Sequence, residues 1–414
     1  MAAPLKVVII GAGLGGLAAA IACRHGDLEV TILERAAKIG NVGAGIQIPP
    51  NSSKTLKRLG VLSQIEESAT ALESFDVRRY ADGSLLVRKP LGETSIRLFG
   101  EQWRVIHRED YHAILLNEAT RLGAKLQLDA QVEKVNASGT ELTMKDGSTL
   151  RADVVIGADG AALVVLAVEE MCAEKRAVLW LGPDKHCIFY PIRAGSAFNL
   201  VLLRPDDLPT GTRTAEGDIS EMRATFDDWD PTLKALISCI PSVLKWKLMH
   251  HEELETWVQG NAVLLGDACH PTLPYQAQGA AMAVEDGAVL GYLLSVYQRD
   301  LQAEDGKLHA EPITSVLKLY EKMRKRRTTL NVAGADQNRI FYHMHDGPEQ
   351  QERDAEMAGF DFEKGRSSRG WLDSEYNKDL LGYDAVEDAA AVYRQWRTPT
   401  ASQDAPFGKT VQVR

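Results

Sequence analysis

Residues 6–26 read KVVIIGAGLGGLAAAIACRHG. Lys6 to Ile10 is a short β-branched run, the kind that fills a parallel strand buried on both faces. Gly11, Gly13 and Gly16 follow at the spacing GxGxxG and lead into a helix of small residues. In that context the three glycines serve in turn a tight turn, close backbone approach to a pyrophosphate, and close helix–strand packing. The helix N-terminus adds unpaired N–H groups and the positive end of a dipole. The next apolar run, LEVTILE, ends in Glu34. An acid about 20 residues beyond the glycines is where the ribose of a dinucleotide is held.

Working outward, 414 residues suffice for two domains, and 45% hydrophobic with 25% charged residues is ordinary for a globular chain. The net charge of −10 argues against a nucleic-acid partner, which needs a clustered positive surface. The basic run MRKRR, Met323 to Arg327, lies in a helical pattern and reads as a solvated face. Five scattered cysteines without a CxxC pair give no metal or disulfide signal and fit a reducing, cytoplasmic compartment. The glycines interrupting the N-terminal apolar run speak against a signal peptide, and the sequence suggests no bilayer-spanning stretch. HExxH, nucleophile-elbow and P-loop motifs are absent.

The fingerprint leaves NAD and FAD open. A set of further motifs resembles the FAD-dependent aromatic hydroxylases, the group A flavoprotein monooxygenases, most closely their salicylate-hydroxylase-like branch. They are GAGLGG with Glu34-Arg35, VGAGIQIPPNSSKTLKRLG (Val42 to Gly60), HREDYH (His107 to His112) and DVVIGADG (Asp153 to Gly160). WLGPDKHCIFYPIR (Trp180 to Arg193) and LLGDACHPTLPYQAQGAAMAVEDG (Leu264 to Gly287) complete the set. The resemblance spans about residues 5–345.

It implies an α/β fold: a Rossmann-like FAD-binding domain of the p-hydroxybenzoate-hydroxylase type, interleaved with a substrate domain on a mainly antiparallel sheet. The FAD domain is expected from residues 1–72, 101–160 and 258–345, and the substrate domain from 73–100 and 161–257. Residues 346–414 form a polar, surface-hugging extension whose tail from Thr398 is expected to be disordered. A single helix is expected after Pro312.

The resemblance also distributes roles. Gly11, Gly13, Gly16, Glu34, Arg35 and Asp159 belong to the dinucleotide cradle, and Arg108 reaches the pyrophosphate and ribityl region. Gly43 and Gly45 keep the backbone close to the flavin with Gln47 near the ring, and Val132 meets the adenine. Asp267 holds the ribityl chain, and Pro271 and Pro274 stiffen a loop along the ring. Gln278, Gly279 and Ala280 open a helix whose amides face the pyrimidine end, where reduced flavin is negative. His186 and Tyr190, four apart on a strand, face one side. They match a histidine and tyrosine that touch a phenol, the imidazole accepting its proton. His270 is a loop anchor or, less naturally, a base.

The activity implied is FAD-dependent hydroxylation of a small phenolic or aromatic-acid substrate, salicylate-like or from secondary metabolism. NADH or NADPH would be the reductant, and O₂ would act through a flavin hydroperoxide. No metal is implied, and the choice of nicotinamide and the oligomeric state stay open.

The chain departs from the family at one place. The family pattern GADG-x-x-S-x-x-R meets Leu163 and Leu166 at its two polar positions, and the stretch from Gly160 to Trp180 is shorter by some tens of residues. A substrate-domain strand with a ligand-facing arginine is therefore expected to be missing, exposing a sheet edge. The alternative function follows from it: a flavin-binding protein with impaired hydroxylation.

Overall fold

Val7, Val8 and Ile9 are all buried, as a central parallel strand demands. Lys6–Ile10 lies in the middle of a six-stranded sheet, between Val154–Gly157 and Glu29–Leu33, both parallel to it. Lys125–Gln127 extends the sheet on one side and Ala262–Leu264 on the other, with Val258–Gln259 as an antiparallel edge. The computed structural model describes residues 3–39, 45–158, 171, 173–212, 214–240, 242–248, 252–302 and 311–398.

The two faces of this sheet are covered differently. Val7, Ile9, Val30, Ile32, Val154 and Ile156 pack under helices, among them Leu14–His25 and Gly279–Gln302. Val8, Leu33 and Val155 meet Leu142 of a three-stranded antiparallel sheet built from residues 132–135, 141–144 and 149–151. The helix Gly279–Gln302 has the length and apolar character of a membrane-crossing segment, contrary to the sequence reading, but most of it is buried inside the protein. It is the central core helix, and its apolar content follows from contact on all sides.

A second sheet has five strands in the order Ala197–Leu203, Lys185–Ile192, Arg176–Gly182, Ser74–Arg79 and Leu85–Pro90. Three of its four pairings are antiparallel, and Arg176–Gly182 runs parallel to Ser74–Arg79. Side-chain alternation splits it into two faces. Val178, Trp180, Cys187 and Phe189 are covered by the helices Ile219–Thr225 and Pro231–Ser238. Phe75, Val77, Leu179, Leu181 and Tyr190 face Tyr275, Phe341 and the C-terminal segment.

Three expectations need correction. The strand next to the shortened stretch, Arg176–Gly182, is itself paired on both sides, so the expected edge does not fall at that strand. The C-terminal segment is not a surface layer: Met357, Phe362, Leu372, Leu380 and Leu381 enter one core, and Ala385, Ala389 and Tyr393 another. Isolated apolar residues in polar sequence, aliphatic and aromatic alike, mark its contact points. Finally, MRKRR is only partly solvated, because Arg324 is fully buried. The helix after Pro312 runs from Ile313 to Tyr342. Gly43, Asp159, Leu163, Leu166 and the tail from residue 399 lie outside the described residues.

Candidate active site

The glycine turn forms as its residue types require. Gly11 has φ 103°, open to glycine and costly for other residues. A Cβ on Gly13 would come within 3.0 Å of the Ala158 carbonyl oxygen, and one on Gly16 would overlap the Gly11 carbonyl. Gly13 caps the helix without a side-chain hydrogen bond. The first-turn amides therefore face outward beside a cradle that tolerates no side chain. Glu34 is held against it: its Oε2 accepts from the Ala12 amide and its Oε1 from the Ala36 amide, both at 3.0 Å. Across the turn, His112 Nε2 lies 2.6 Å from the Ala12 carbonyl. Arg35 is exposed just past the strand end, and Val132 is half-buried in the three-stranded sheet.

Arg108 opens the helix Arg108–Arg121, and Asp267 stands in the short turn after Ala262–Leu264. Burial lowers the Arg108 pKa against an opposing pull from Asp267. Burial likewise raises the Asp267 carboxyl, with His270 and Arg108 pulling it back. The Asp267 side chain is reachable by solvent yet recessed among protein atoms, which reconciles its exposure with that desolvation. A recessed carboxylate and a half-buried guanidinium beside a glycine cradle suit a ligand carrying hydroxyls and a pyrophosphate. The donor set and the close backbone approach thus fit FAD.

The loop between Asp267 and the helix at Gly279 is pinned throughout. His270 Nε2 lies 2.5 Å from Asp286 Oδ2, which also accepts from the Gly266 amide at 2.9 Å. His270 is therefore a loop anchor. Arg324 Nε donates to Asp286 Oδ1 at 2.6 Å and its Nη2 to Glu285 Oε2 at 2.7 Å. Arg327 joins Glu285 through Nε and Nη2, and Asn51 Nδ2 donates to both Glu285 (2.7 Å) and Gln278 (3.0 Å). Burial alone would raise the Glu285 and Asp286 carboxyls. The cationic partners outweigh it, and both sit below the usual carboxylate range. At the far end of the loop the Tyr275 carbonyl accepts from Asn338 and Tyr342. Gln276 is held by the Asn331 carbonyl and by Tyr376 of the C-terminal segment. Gly279 and Ala280 begin the helix as expected from sequence.

The second sheet meets this loop through the strand Lys185–Ile192. His186 and Tyr190 share a face, and both are buried. The His186 ring lies 5.0 Å from that of Tyr275 and 5.3 Å from that of Tyr342. Tyr190 lies against Gly45, where a Cβ would come within 2.6 Å of its ring. Gly45 donates its N–H to Asn199 Oδ1 at 2.9 Å, while Gln47 Oε1 accepts from Trp103 Nε1 at 3.0 Å. Burial lowers the His186 pKa well below its ordinary value and raises the Tyr190 phenol. A neutral imidazole with a free lone pair accepts a proton and cannot donate charge assistance.

Sequence reading missed several of these groups. Asn199 pairs in register with Tyr190, and its buried Nδ2 has no partner among the described residues. Asn51, Glu285, Asp286 and Arg324 form the support beneath the loop. One signal was available: two adjacent acids, Glu285-Asp286, inside an apolar helix call for buried cations.

Near His107, Glu109 and Asp110 a cation could be held, but the Arg193 guanidinium already reaches all three.

A family model described as an FAD binding domain matches residues 4–176 and 237–310. The FAD-dependent monooxygenase OpS4 of Beauveria bassiana is 37% identical over 421 residues, covering 92% of this chain and 96% of the relative. That alignment is longer than the chain itself, so the relative carries residues with no counterpart here. The 3-hydroxybenzoate 6-hydroxylase of Polaromonas naphthalenivorans is 31% identical, covering 82% of this chain and 89% of that one. A salicylate hydroxylase in complex with its substrate shares the fold at a TM-score of 0.74 and 22% identity, over 96% of this chain and 99% of that one. Fold, cradle and relatives agree: the chain belongs to the FAD-dependent monooxygenases of the aromatic-hydroxylase type.

Proposed function

We propose that the protein hydroxylates a small phenolic or aromatic-acid substrate, consuming NAD(P)H and O₂. The observation that carries this reading is the shared face of His186 and Tyr190, turned onto the loop that follows Asp267. When bound, FAD would supply the two-electron chemistry and the activation of O₂. Glu34, Arg108 and Asp267 would hold it. The chain's own contribution on the substrate side is orientation and proton transfer. Tyr190 and Asn199 would position the aromatic ring, and His186, neutral at physiological pH, would take the phenolic proton at Nε2. Removing that proton raises electron density on the ring carbon to be oxygenated. The packed loop and the aromatic rings of Tyr275 and Tyr342 would exclude water from the reacting centre.

The test is a screen of NADH and NADPH oxidation by FAD-reconstituted protein with salicylate, 3-hydroxybenzoate and related phenols. Product analysis with isotopically labelled O₂ accompanies it. Substrate-stimulated oxidation with label in the product is expected. Flavin retention with no labelled product from any phenol would overturn the reading.

A further inference from the structure

His343 is used by nothing described above. It is the residue that ends the helix Ile313–Tyr342, and its Nε2 lies 2.8 Å from His186 Nδ1. The two rings are 5.0 Å apart at 38°. His186 is 2% exposed, whereas His343 is only half-buried. The His343 carbonyl accepts from the Asp184 amide at 3.2 Å, in the turn that precedes the His186 strand. His345 Nε2 stands 3.0 Å from the Asp184 carboxylate at the open surface. The pair thus runs from the buried face of the second sheet to solvent.

The groups around it are aromatic or lie on the outer side. Tyr275 and Tyr342 face His186, with Leu181 and Leu203 opposite it on the neighbouring strands. Arg339 and Asp184 act on His343, and Arg339 and Asp336 on Tyr275. Two neutral imidazoles sharing one hydrogen bond have two arrangements. If His186 Nδ1–H donates to His343 Nε2, His186 Nε2 carries the lone pair. If His343 Nε2–H donates instead, His186 Nε2 is protonated and no longer a base.

We propose that His343 is a positioning residue for His186, fixing the tautomer with a bare Nε2 and relaying its proton to solvent. This rests on the reading of His186 as the base. The transfer balances. The phenolic O–H breaks as an N–H forms at His186 Nε2, and His186 Nδ1–H passes to His343 Nε2. His343 Nδ1–H then leaves to water, and the net change is a phenolate inside and one proton outside. The reverse sequence restores both tautomers when the product oxygen is reprotonated.

The experiment compares wild-type holoenzyme with His343→Gln, His343→Ala and His186→Asn. Nitrogen-15 NMR of histidine-labelled protein reads the tautomers directly, with no substrate needed. His186 in the Nδ1–H form, shifting toward Nε2–H in His343→Ala, is expected; His186 in the Nε2–H form in wild type overturns the proposal. Salicylate-stimulated NADH oxidation is then followed against pH. A loss of roughly ten-fold or more in kcat is expected for His343→Gln and His343→Ala, with recovery in His343→Ala on adding imidazole. Wild-type kcat and an unchanged pH profile in both variants overturn the relay. Wild-type turnover in His186→Asn instead removes the base assignment, and the NMR result separates that failure from failure of the tautomer claim.

Discussion

Arg324 Nε and Asp286 Oδ1 are 2.6 Å apart, and neither side chain is exposed to solvent. With Glu285 and Arg327 they form a buried, charge-balanced group beneath the loop that carries Asp267 and His270. Removing one partner from such a group leaves an uncompensated charge, which costs about 3–5 kcal/mol. Arg324→Leu should therefore lower the urea midpoint by that equivalent and loosen flavin retention. A variant with wild-type stability would mean that water or a rearranged Arg327 neutralises the acids.

Glu34 accepts two backbone amides, that of Ala12 in the glycine turn and that of Ala36 just beyond its own strand. Replacing it removes both the carboxylate and the order it imposes on the glycine turn. Hydrogen bonds to a charged group contribute about 1.5–3 kcal/mol. Glu34→Ala should weaken FAD affinity by about ten- to a hundred-fold, read by flavin fluorescence titration, with little change in kcat at saturating FAD.

Burial, with the partner histidine adding to it, lowers the His186 pKa, and burial, followed by Arg339, lowers His343 to about 4. As pH falls from about 6.5, the unfolded chain takes up protons that the folded pair refuses, so stability declines between about 6.5 and 4. Above 6.5 both states are neutral and the pair adds no pH dependence. His343→Gln should flatten part of this slope in denaturation series at pH 7.5 and 5.

Lys89 is buried under the C-terminal segment, its Nζ 2.7 Å from Asn377 Oδ1 and 5.2 Å from the ring centres of Phe362 and Trp371. Burial pushes its pKa down to about 7. Between about 10.5 and 7 the unfolded chain gains this proton first, so the native state loses stability as pH falls through that window. Below 7 both states carry it, and the penalty is constant. Lys89→Met should close this gap, gaining on wild type from pH 10 down to 7 and no further below. Parallel pH curves of the two proteins would contradict it.

What the sequence disclosed and what it concealed divide along a physical line. The strand, glycine turn and acid at Glu34 are local, because each residue type is required by the backbone around it, and that part of the fold was readable. The long helix from Ile313 was readable for the same reason. Arg324 was not: a charged residue in a basic run looks solvated until its partners, Glu285 and Asp286, arrive from a distant part of the chain. His343 carried no pattern at all, since its meaning depends on His186, 157 residues away. The polar C-terminal segment misled because its burial is carried by a few residues such as Met357 and Leu372 that contact other parts of the chain.

The strand Lys6–Ile10 lies between Val154–Gly157 and Glu29–Leu33, and Ala262–Leu264 lies one strand further out. The helix beside the first strand rests on Gly279–Gln302. During synthesis, the earliest residues to emerge must therefore wait for some of the later ones before their sheet and its helical cover are complete. Such non-local pairing slows folding and leaves apolar surface open meanwhile. Heterologous production should gain more from chaperone supply, which shields that surface until the later strands arrive, than from stronger promoters.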